Sequence, residues 1–88
     1  MAVMPYELNP QMVKDLSQRF TYHPPFGDQA DRYVALREHA LQLALRIVAS
    51  TPSCREQSLA LTKLEEAIFW ANAAIARNEV PPVEEPKR

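Results

Sequence analysis

Two long stretches of apolar residues at steps of three and four dominate this chain, and a short break, Thr51-Pro52-Ser53, lies between them. In the first, Tyr33, Leu36, Ala40, Leu43, Ala44 and Ile47 form one stripe, and Val34, Leu41, Leu45 and Val48 form a second beside it. In the second, Ala60 or Leu61, Leu64, Ala67, Ile68, Ala71, Ala74 and Ile75 line one face, with Phe69, Trp70 and Ala73 adjoining. That period belongs to helices. The spacing predicts one helix from Asp28, as its cap, to about Ser50, and another ending near Asn78. Ser53 and Glu56 have the spacing of a capping box at the start of the second. So short a turn makes the two helices antiparallel neighbours. Two apolar stripes are more than one partner helix covers, which predicts packing against a second chain and hence a homo-oligomer.

The rest of the chain divides around this hairpin. Asn9 is a good cap and Pro10 suits a first helical position, so a short amphipathic helix is expected from Pro10 to about Arg19, with Met12, Val13, Leu16 and Phe20 on its apolar edge. Phe20-Thr21-Tyr22-His23-Pro24-Pro25-Phe26-Gly27 then breaks the periodicity, because consecutive prolines force extended backbone before them. The class read from this pattern is all-α: a short N-terminal helix, an aromatic and proline-rich loop, and a long antiparallel helical hairpin. The divisions fall at 1–27 for leader, short helix and loop, 28–78 for the hairpin, and 79–88 for a Pro-rich, charged tail expected to be disordered. All belong to one domain. Gly27, the only glycine of 88 residues, leaves no room for a glycine-rich phosphate loop or many tight β-hairpins.

Several function classes are disfavoured at once. With 10 basic and 11 acidic side chains the net charge is −1, whereas proteins that track nucleic-acid backbones carry a positive excess, so DNA is not an expected partner. A single cysteine, Cys54, excludes an internal disulfide and a Cys-based zinc site, and no metal or cofactor is expected. No apolar run approaches the roughly 20 residues that cross a bilayer, and no signal-peptide pattern opens the chain, so the expected location is cytoplasmic. No catalytic residue is assigned. His39 sits within a helix, Glu65 and Glu66 are adjacent and diverge by about 100°, and no HExxH or serine elbow occurs. The protein is expected to work by binding.

Chemistry for binding concentrates near the loop. Arg19 and Arg32 flank the aromatics Phe20, Tyr22 and Phe26; guanidinium forks suit phosphates, and aromatic faces suit nucleobases. The bland alternative is that the aromatics only anchor the loop and the arginines only solvate the surface. Asn72 interrupts an apolar helix end, where a buried amide needs a partner from another chain or from a ligand.

These residues carry a resemblance. The run Arg19-Phe20-Thr21-Tyr22-His23-Pro24-Pro25-Phe26-Gly27-Asp28-Gln29, followed by Arg32-Tyr33 and Leu36-Arg37, resembles the domain of phage anti-CBASS sponge proteins, as does the closing run from Leu64 to Asn78. A related hairpin domain occurs in some anti-Thoeris sponges. The similarity spans roughly residues 19–78. It implies a compact homo-hexamer that sequesters cyclic di- or trinucleotide messengers of bacterial defence, without cleaving them, in the infected host cell. Family pockets for cyclic dinucleotides lie between protomers and are closed partly by the N-terminal segment; here Tyr6 or Lys14 would contribute. On this reading Arg32, with Arg19 or Arg77, neutralises phosphates, Phe20 or Tyr22 stacks a base, and His23 and Gln29 bond base edges or ribose. The competing expectations are a helical adaptor docking on a host protein and, third, a DNA-binding regulator.

Overall fold

The computed structural model describes residues 5–81, and these form three helices: α1 (Pro10–Arg19), α2 (Gln29–Ser50) and α3 (Arg55–Asn78). No strand occurs among the described residues. Residues 1–4 of the expected leader and 82–88 of the tail expected from 79 onward lie outside them.

α1 starts where the sequence places it. The Asn9 side-chain oxygen accepts from the backbone N–H of Gln11 at 2.8 Å and of Met12 at 3.2 Å, and Pro10 fills the first helical position. Its apolar edge stays open, with Met12 at 53% and Val13 at 41% exposure. Instead of burying that edge, α1 is tied down by one polar link, in which the Gln18 side-chain amide donates to the Arg77 carbonyl at the end of α3.

The caps of the hairpin helices differ from expectation. Asp28 takes the N-cap position of α2 as expected, but its backbone (φ −93°, ψ 12°) is not extended and its side chain makes no capping bond, its carboxylate accepting instead from Arg32 Nε at 3.1 Å. The Ser53–Glu56 capping box does not form. Cys54 takes the cap position in extended conformation, without a side-chain bond to the first turn, which leaves Ser53 one residue outside. Gln57 then ties the turn, donating from Nε2 to the Thr51 carbonyl at 3.1 Å and to Thr51 Oγ1 at 3.0 Å. Thr51 is extended, as a residue before proline must be, and that ends α2.

α2 and α3 pack as antiparallel neighbours along one seam. Tyr33, Leu36, Ala40, Ala44 and Ile47 from α2 and Leu61, Leu64, Ile68, Ala71 and Ile75 from α3 are half-buried in it. Leu43, expected in this stripe, is half exposed. The second α2 stripe is open, with Leu41 and Leu45 both at 55%. No apolar side chain among the described residues is fully buried. Gln29, at 2% exposure, is the one described residue that is. The layer is one helix pair thick, which is why it has a seam and no core.

Candidate functional site

The far end of the hairpin from its turn brings the start of α2, the end of α3, the end of α1 and the loop together. Two of the loop's fastenings are polar. His23 Nε2 lies 2.8 Å from the Gln18 carbonyl. A carbonyl oxygen only accepts, so Nε2 carries the proton and Nδ1 is the free acceptor of the neutral ring. At the other end of the loop, Phe26 N–H donates to Gln29 Oε1 at 3.1 Å while Gln29 N–H donates to the Phe26 carbonyl at 3.1 Å. Gly27 at φ 57° lets the chain turn between them.

Above this loop lies a cleft of about 440 Å³. Its α2 wall presents Tyr33 and Arg37, one turn apart on the same face. The α3 wall presents Asn72 and Arg77, and between them Ala73 and Ala76 are small enough to leave the space open. Arg19, Thr21, Tyr22 and His23 close it from the α1 side. Three guanidinium groups therefore surround one hollow that no carboxylate among the described residues lines. Arg19 is shared with Asp15 at 2.7 Å, while none of the ion pairs among the described residues involves Arg37 or Arg77. Asn72 Oδ1 is shielded from water and has no hydrogen-bond partner among the described residues, an unusual state that a bound group with a donor would relieve.

Of the residues singled out from the sequence, Arg19, Tyr22, His23 and Arg77 meet in this cleft. Phe20 does not line it; with Trp70, Arg19 and Arg77 it borders a neighbouring hollow of about 480 Å³. Gln29 and Arg32 stand behind the loop, joined to Glu79. Arg32 donates to the two Glu79 oxygens at 2.7 and 2.6 Å, and Gln29 Nε2 donates to Glu79 Oε1 at 3.1 Å. The bonds from Arg32, and then that from Gln29, hold the Glu79 carboxyl at about 2 against its ordinary 4.5, outweighing partial desolvation. Glu79, and to a lesser degree Asp28, raise Arg32 above the usual arginine range. Tyr33 and Arg37 are cleft residues to which sequence reasoning assigns no binding role, Tyr33 being placed in the apolar stripe, whereas Asn72 is expected to need a partner from another chain or a ligand. The spacing of Tyr33 to Arg37, matched by Ala73 to Arg77 on α3, is the signal that marks this end of the hairpin.

Above the turn-side end of the cleft the seam opens into an apolar groove of about 530 Å³, lined by Ala40, Leu41, Leu64, Ile68 and Phe69, and Arg37 and Asn72 border both spaces. Among the described residues no cluster of His, Cys, Asp and Glu stands close enough to hold a metal ion.

The family model of the Acb2/Tad1 hairpin domain matches residues 13–76, a span that takes in most of α1, the loop and nearly all of the hairpin. The chain belongs to the Acb2/Tad1 hairpin-domain family. No curated protein matches the chain, and no solved structure does. Acb2/Tad1 proteins are anti-CBASS and anti-Thoeris sponges: they bind the signalling molecules of bacterial antiphage defence and sequester them, a task that is non-enzymatic in kind. The cleft lies wholly inside the matched span, except that Arg77 falls one residue past its end.

Proposed function

We propose that this protein binds cyclic oligonucleotide second messengers and withholds them, intact, from the effectors of CBASS-type defence in the cytoplasm of an infected bacterium. The observation that carries the reading is the convergence of Arg19, Arg37 and Arg77 with Tyr22 and Tyr33 around one cleft, on a chain whose net charge is −1. A cyclic dinucleotide is compact and carries two phosphates and two bases. Arg37 and Arg77, without an ion pair among the described residues, are placed to neutralise phosphate, and the tyrosine rings to stack on a base. His23 Nδ1 and the Asn72 amide supply bonds to base edges or ribose. Cyclic trinucleotides are the larger members of the same ligand class.

The single chain leaves the cleft half open, with Tyr22 80% exposed. The exposed leucines of α2 and the exposed Phe69 and Trp70 of α3 are the surface through which further copies would close it, and a homo-hexamer is the assembly this reading takes.

Isothermal titration against cyclic di-AMP, cyclic GMP–AMP and cyclic tri-AMP tests the proposal, with the mass of the protein in solution measured alongside and the ligand recovered after denaturation. Tight binding and a chemically unchanged ligand are expected. Arg37→Ala and Arg77→Ala should each weaken binding by at least about tenfold, since each leaves a phosphate without its counter-charge. Heat from none of the three, together with a stoichiometric host protein co-purifying, would move the function to a docking adaptor.

A further inference from the structure

We propose that Gln29, Arg32 and Glu79 are positioning residues: a clasp behind the loop that fixes Tyr22 and His23 against the end of α3 and so sets the shape of the cleft. The inference rests on the reading of that cleft as the ligand site.

The geometry is that of a closed chain of bonds between segments far apart in sequence. Phe26 N–H reaches Gln29 Oε1, Gln29 Nε2 reaches Glu79 Oε1, and Arg32 grips both Glu79 oxygens and Asp28. Every nitrogen of the Arg32 guanidinium is thereby used, so it has no fork left to offer a phosphate. Gln29 is fully buried with both halves of its amide engaged, the condition a buried amide requires. Its exposure and bonding leave it no face towards the cleft.

Little else holds the loop. Tyr22 is exposed, Phe26 is only half-buried, and a void of about 220 Å³ separates Pro24 and Pro25 from Ala76 and Glu79. Besides a local bond from Thr21 Oγ1 to the Ser17 carbonyl, its fastenings at His23 through Gln18 and at Phe26 through Gln29 both lead to the C-terminal end of α3: the Arg77 carbonyl and the carboxylate of Glu79 just beyond it. The stacking wall and Arg77 thus move as one body. Pro24 and Pro25 stiffen the span between the two fastenings.

Hydrogen exchange on the full chain, with affinity for the same three cyclic nucleotides, tests this. In Glu79→Gln the amides of residues 21–27, except the prolines, should exchange on the order of tenfold faster, while those of residues 36–47 keep their wild-type rates. Affinity should fall on the order of tenfold with the mass in solution unchanged. Gln29→Met, which keeps the side-chain length but removes its hydrogen bonds, should do the same. The double variant Gln29→Glu with Glu79→Gln reverses the polarity of the bond between them, keeps an acceptor for Phe26 N–H but not the two-oxygen grip of Arg32, and should recover part of both losses. Loop exchange that stays at the wild-type rate in Glu79→Gln overturns the clasp. So does faster loop exchange with affinity intact, or equal acceleration along both long helices. If the wild-type protein binds none of the three nucleotides, the ligand reading fails, and the exchange rates alone decide whether the clasp orders the loop.

Discussion

Gly27 makes the reversal between the loop and α2, and its φ of 57° is a value that costs a residue with a side chain. No atom lies within 4 Å of where a Cβ would stand. The cost of Gly27→Ala is therefore conformational alone, about 1–2 kcal/mol of folding stability, measurable by chemical denaturation. Gly27→Asn should cost less, because Asn tolerates that region. A loss above about 3 kcal/mol in the alanine variant would show a steric clash the structure does not contain. At this scale the sequence was informative wherever a residue's role is local, as with Asn9 capping α1. It was uninformative for Gln29, whose role depends on a carboxylate 50 residues away.

Between elements, the join of α2 to the end of α3 depends on a carboxylate that stays ionised far into acid. Glu79 is held at about 2 in the folded chain, below its ordinary 4.5. A depressed carboxyl stabilises the fold fully above its unfolded value and stops doing so as pH falls towards its folded value. The melting temperature of the wild-type protein should accordingly exceed that of Glu79→Gln by a constant margin above about pH 5. The margin should shrink from pH 4.5 downward and vanish near pH 2. A margin independent of pH would mean that the charge of Glu79 contributes nothing to the join. The helix boundaries themselves were largely legible, because proline, asparagine and apolar period act within a few residues. The Ser53–Glu56 box was not: with Cys54 at the cap, Gln57 occupies the third helical position and reaches back across the turn to Thr51.

At the scale of the molecule, two helices with a seam and, among the described residues, no fully buried apolar side chain are little for an 88-residue domain to rest on alone. Leu41 and Leu45, each more than half exposed, would each contribute about 1–1.5 kcal/mol on burial of what remains open. The melting temperature should therefore rise with protein concentration, and Leu45→Glu should lower both it and the mass found by sedimentation. A wild-type chain that sediments as a monomer at tens of micromolar and melts independently of concentration would contradict this. No helix among the described residues is long and apolar enough to cross a membrane.

The sequence by itself determined the class and order of the elements, the antiparallel hairpin and the surplus of apolar surface, since each follows from period, capping and turn length. The resemblance carried by the loop and the closing run led to the family. Only the tertiary structure decided which side chains share the cleft. Arg37 and Tyr33 meet Asn72 and Arg77 because the antiparallel seam sets α2 residues beside α3 residues some forty positions on, and periodicity within one helix holds no record of that register. The same holds for Arg32 and Gln29. The resemblance implies a ligand-facing role for them, and it is the arrival of Glu79 at the end of α3 that turns them inward, into bonds with the protein itself.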